Sequence, residues 1–84
     1  MDPQRLRVFL VDDHPIVLAG VKALVQADDE LEVIGEARDG RTALRLATEL
    51  NPDIAVLDIS LPGLSGTKLA EQLRIACPKC KLLA

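Results

Sequence analysis

The sequence predicts an α/β fold built on a parallel sheet, and three observations carry that reading. Short, nearly continuous apolar runs at residues 7–11 and 54–57 have the character of strands buried on both faces. Between such runs lie longer stretches with apolar residues at helical spacing. The two kinds alternate as β-α-β-α-β-α-β along 84 residues. Alternation of this kind means parallel strands joined by right-handed helical crossovers.

The elements follow in order. The first strand takes residues 7–11 and ends on Asp12 and Asp13. His14-Pro15 opens a helix, with Pro15 at the first helical position, where a missing N–H leaves no bond unmade. That helix runs to about Ala27, with Val17, Val21, Leu24 and Val25 on one face, and Asp28-Asp29 breaks it. Residues 31–35 read as a second strand, whose more alternating pattern suits a place nearer the sheet edge. Asp39-Gly40 is a turn or cap. Ala43, Leu44, Ala47 and Leu50 mark a second helix, stopped by Asn51-Pro52 because a residue before proline is disfavoured in the α region. The third strand occupies residues 53–58. Pro62-Gly63 suits the central positions of a type II turn. Ser65 is placed to cap a third helix over about residues 66–75, with Leu69, Ala70 and Leu73 inward. Cys77-Pro78 ends it, and residues 81–84 begin a fourth strand.

Composition bounds the function. One small domain of 49% hydrophobic residues can form a core and does not have the composition of a disordered chain. A net charge of −3 argues against a surface that grips nucleic acid. Phe9 is the single aromatic residue and lies inside a strand, so there is no base-stacking platform. No apolar run approaches membrane-spanning length, and the N-terminus lacks the apolar core of a signal peptide. Two cysteines do not make a disulfide scaffold. A cytoplasmic location is the expectation.

The chemistry concentrates at strand ends. Asp58 stands at the C-terminal tip of an inner strand, the edge where open α/β sheets bind ligands. A lone Asp there could equally cap a loop. Asp12 and Asp13, at the tip of the first strand, make the difference. In the flavodoxin-like order 2-1-3-4-5 the first and third strands are neighbours and the switch point lies between them, so the three acids surround one crevice. Crowded carboxylates repel one another, and a hard cation resolves this. Mg²⁺ prefers oxygen ligands and is held by one or two carboxylates plus a phosphate. A carboxylate beside it is a competent nucleophile toward phosphorus. These residues point to a Mg²⁺-dependent, phosphoryl-accepting site.

Val11-Asp12-Asp13-His14-Pro15, followed by Leu57-Asp58-Ile59-Ser60-Leu61-Pro62-Gly63-Leu64-Ser65-Gly66, resembles the receiver domain of bacterial two-component response regulators. Residues 12–15 together with residues 17–25 look most like the NarL/LuxR-type subfamily. The resemblance covers essentially the whole chain. It implies a CheY-like, flavodoxin-like three-layer fold with strand order 2-1-3-4 here, and a phosphoprotein signalling module rather than an enzyme. It also implies phosphorylation by a partner sensor histidine kinase, with Asp58 as phosphoacceptor. Asp13 is then a direct Mg²⁺ ligand, Asp12 acts through a metal-bound water, and the Ser60 backbone carbonyl is a further ligand. In that family the output is usually transcription, through a C-terminal helix-turn-helix domain.

Against the same resemblance, residues 1–84 correspond to the N-terminal portion of a receiver. The family's Thr or Ser at the end of strand four and Lys at the end of strand five are not among them. Lys79 and Lys81 lie at the start of strand four, on the far side of the sheet, and cannot substitute. Without a fifth helix the first helix covers its face alone, and strand four is an open edge. A homodimer or an element-exchanged assembly is therefore expected. Other features have plainer readings. Cys77 and Cys80 have zinc or redox spacing. The one His, His14, lies at the other end of the strands, which span roughly 17 Å; incidental thiols are expected. His14 reads as a helix-opening residue, and Arg38, Arg41 and Arg45 as a solvated face. An aspartate-nucleophile phosphatase would want Asp where Ser60 stands. A pseudo-receiver that binds partners without phosphorylation would tend to lack one of the three acids. No phosphate-cradling P-loop motif occurs.

Overall fold

The computed structural model describes residues 5–58 and 66–83. Its elements are β1 (Leu6–Val11), α1 (Pro15–Gln26), β2 (Leu31–Ala37), α2 (Gly40–Leu50), β3 (Ile54–Leu57), α3 (Gly66–Ala76) and β4 (Lys81–Leu83). The sheet is parallel throughout, in the order β2-β1-β3-β4. This is the expected α/β architecture, with β2 at an edge.

Alternation along β1 divides the core. Val8 and Leu10 face α1 and pack with Leu18, while Phe9 and Val11 face α2 and α3 with Ala43, Ala47, Leu69 and Leu73. On the α1 face, Val21, Val25, Ile54 and Val56 are only partly buried. α1 departs from the expected face. Val21 and Val25 pack inward, but Leu18 is the buried residue, while Val17 is 49% and Leu24 75% exposed. The helix is rolled so that Leu18, Val21 and Val25, at i, i+3 and i+7, make the stripe over Val8 and Leu10.

β2 extends two residues past Gly35, to Ala37. Its register with β1 shifts between Val8↔Val33 and Phe9↔Gly35, so Ile34 is the extra residue of a bulge. At the next residue, Gly35, a Cβ would lie 2.8 Å from Leu50 Cδ1 and 3.3 Å from the Phe9 ring. Glycine is needed there for close approach, and does not end the strand as its punctuating habit suggested.

Asp39 caps α2, its side chain accepting from the Thr42 N–H at 2.9 Å. Asn51 ends the helix in the left-handed region (φ 51°). Arg7 ties this corner to β1, donating from its guanidinium to the Asn51 carbonyl and from its backbone N–H to Asp53 Oδ2. α3 buries Leu69 and Leu73, and Cys77 continues that stripe into the following loop. The Pro62-Gly63 turn and the Ser65 cap lie outside the described residues. No helix among the described residues is long and apolar enough to cross a membrane.

Candidate functional site

Two strand ends build the site. At the end of β1, the Asp12 N–H donates to the Ala37 carbonyl (3.1 Å); at the end of β3, the Asp58 N–H donates to the Val11 carbonyl (2.9 Å). The ladder bonds thus continue into the acidic residues and fix their backbones side by side. Asp12, Asp13, His14 and Asp58 each offer a ligand atom, all within 4.8 Å of one another.

His14 stands among these acids. Its Nδ1 lies 2.9 Å from Asp12 Oδ1, 2.9 Å from Asp13 Oδ1 and 3.5 Å from Asp58 Oδ2. Its backbone N–H also donates to Asp12 Oδ1, at 2.8 Å. Sequence reasoning assigned His14 a helix-opening role, and it does occupy the N-cap, but its side chain caps nothing. Pro15 holds the preceding residue in extended backbone (φ −100°, ψ 107°), which sends the ring back over the strand ends rather than along the helix. That proline was the available signal. The hydrogen bond with Asp12, then the charge of Asp13, raise the His14 pKa above its ordinary value.

A single Nδ1 proton makes one hydrogen bond at a time. The bond with Asp12 leaves Asp13 Oδ1 buried and without a hydrogen-bond donor, despite its 2.9 Å approach to the ring. An orphaned carboxylate oxygen beside two further carboxylates is a donor set that fits Mg²⁺. Beside the acids opens a cleft of about 390 Å³, reaching from Asp12 and Asp58 to Val17, Val21 and Val56.

Other candidates stand apart. Lys81 pairs with Ile54, at the far end of β3 from Asp58. Cys77 is buried, its thiol donating to the Ala47 carbonyl at 3.2 Å. Burial first, and Cys77 next, push the Cys80 thiol pKa up, which is unfavourable for a nucleophile. The two are free thiols in the loop before β4. Arg38, Arg41 and Arg45 are exposed, with Arg45 3.9 Å from Glu49. Ser60 lies outside the described residues.

An open parallel α/β sheet with an acidic pocket at its switch point places the chain among the α/β domains that bind ligands at the carboxyl ends of their strands. Among these the chain belongs to the response regulator receiver domain family, which it matches over residues 8–84. It is 43% identical over 68 residues to the transcriptional regulatory protein YdfI of Bacillus subtilis, covering 81% of this chain and 32% of that protein. It is 39% identical over 67 residues to the nitrate/nitrite response regulator protein NarL of Escherichia coli K12, covering 80% and 31% respectively. The signal receiver domain of the response regulator NarL from Mycobacterium tuberculosis superposes with a TM-score of 0.90 at 35% identity, covering 95% of this chain and 64% of that one. The chain therefore spans about a third of these curated relatives. The CheY-like fold and the NarL/LuxR-type kinship hold. Receiver domains are signalling modules that bind Mg²⁺ at an acidic pocket and receive phosphate from histidine kinases.

Proposed function

We propose that Asp58 accepts a phosphoryl group from a partner sensor histidine kinase, in a receiver of which residues 1–84 are the N-terminal portion. One observation carries this: three carboxylates from two neighbouring strand ends converge within 4.8 Å at the switch point of the sheet. A carboxylate oxygen of Asp58 attacks phosphorus as the phosphorus–nitrogen bond of the donor breaks; the electron pair of that bond stays on the departing imidazole, which takes any proton it needs from water. Asp13 and Asp58 would hold Mg²⁺, with Asp12 beside them and the Ser60 carbonyl as a further ligand. When bound, the ion supplies positive charge toward the phosphoryl oxygens. In this reading the parent works in the cytoplasm and couples the event to transcription through a DNA-binding output domain; the relative YdfI is named a transcriptional regulatory protein.

The test uses the receiver in its full-length parent with a small phosphodonor and Mg²⁺. Intact mass should show one added phosphoryl group, absent from Asp58→Ala. Stoichiometric labelling of that variant would overturn the assignment. A parent that binds Mg²⁺ at Asp13 yet takes no phosphoryl group would be a pseudo-receiver instead.

A further inference from the structure

The carboxylates of the pocket are accounted for by the proposed function; the imidazole among them is not. The His14 ring nitrogen lies among the same donors that the proposed metal site uses. Ligand bonds of ~2.1 Å separate neighbouring donors of an octahedral shell by ~3.0 Å and of a tetrahedral one by ~3.4 Å. Nδ1 lies 2.9, 2.9 and 3.5 Å from the three carboxylate oxygens. The first is the hydrogen bond already described, and all four donor atoms lie within 4.8 Å of one another, so an ion that displaced the Nδ1 proton would draw them together by only a few tenths of an ångström. The separations arise without an ion because Pro15 sets the backbone before it and two strand ends set the acids.

We propose that His14 is a metal ligand of this pocket through Nδ1, and that it raises the pocket's affinity for Co²⁺- or Zn²⁺-class cations relative to Mg²⁺. This rests on the reading of the acids as a metal site and adds the residue that sets its selectivity. Oxygen donors alone suit Mg²⁺. An imidazole nitrogen adds little for that ion but much for the later first-row metals, whose affinity for nitrogen donors follows the Irving–Williams order. The His14 side chain is 60% exposed, so the ring has an open side from which an ion can enter.

The experiment uses Co²⁺ and Mg²⁺ separately, on a Cys80→Ser background so that the partly exposed thiol does not compete. The chain has one histidine, so its ring proton signals in NMR are unambiguous. Co²⁺ should shift those signals strongly and be displaced by excess Mg²⁺. In His14→Asn, which places a residue well suited to the N-cap position there, Co²⁺ affinity should fall about tenfold or more, and Mg²⁺ affinity should stay within about twofold. His14→Ala should behave alike, with dispersed amide spectra showing that both variants fold. Unchanged Co²⁺ affinity in the two variants, or a parallel loss for both ions, would overturn the role of His14. Failure of Mg²⁺ to move the amides of Asp12, Asp13 and Asp58 in the unsubstituted chain would instead overturn the reading of the acids as the Mg²⁺ site. The Co²⁺ arm would still decide the imidazole.

Discussion

His14 and Asp12 form a pair whose energetics can be read by pH. The Asp12 hydrogen bond is the main cause of the raised His14 pKa, followed by the charge of Asp13; desolvation opposes both. The folded pKa therefore lies above the ordinary 6.5. A group of this kind contributes stability that is fully present below the unfolded value and is lost as pH rises through the folded one. In metal-free buffer the ring signals of His14 should titrate above the ordinary value, and Asp12→Asn should return them toward it. A melting temperature that falls as pH climbs through that window, and a shallower fall in His14→Ala, would show the linkage. Added salt should weaken the effect, because the ring is exposed. The acids of the same site were legible in the sequence because each apolar run ends abruptly on a carboxylate. The ring was not, because its direction depends on the backbone that Pro15 imposes on the residue before it.

Single residues also decide two of the elements. Asp39 accepts from both the Thr42 N–H and the Thr42 hydroxyl, each at 2.9 Å. The backbone bond, then the hydroxyl, hold its carboxyl below the usual range. Asp39→Ala should lower the denaturation midpoint at neutral pH with the slope unchanged. The deficit should vanish as pH falls through the lowered folded value, where the carboxyl in the unsubstituted chain is protonated. At Gly35, an added methyl meets the end of Leu50, which can turn away, and the ring of Phe9, which is fully buried and cannot. Gly35→Ala should cost about 1–3 kcal/mol by overpacking, measured by denaturant unfolding. Element order and type were legible because buried strands and amphipathic helices differ in period. The roll of α1 was not. Val17 and Leu24 are as apolar as Leu18, so spacing alone does not choose among overlapping stripes; the position of Val8 and Leu10 beneath the helix does. The extension of β2 to Ala37 was hidden for a related reason, since a glycine at a close contact looks in sequence like a glycine that ends a strand.

Across the whole molecule the two faces of the sheet are unequally covered. α2 and α3 bury one face down to Ala43, Ala47, Leu69 and Leu73, each fully buried. On the other, α1 is the one helix among the described residues, and Ile54 and Val56 of β3 remain partly exposed beside a cleft of about 390 Å³. Two copies that each cover roughly 300 Å² of such surface would gain about 15 kcal/mol gross. Association itself costs roughly 4–15 kcal/mol, so the surplus is small and pairing should be weak and concentration-dependent. Sedimentation of the 84-residue chain should show reversible association, and a fluorescent apolar dye should bind at low protein concentration and be released as association proceeds. Val17→Gln places a polar, helix-compatible side chain at the rim of the cleft and should reduce both signals with helix content unchanged. The same substitution on α2 or α3 surface positions should do neither. A monodisperse monomer with a cooperative melt and no dye binding would mean that α1 closes its face by itself, with Val56 and Val17 packed more tightly in solution than their exposure implies.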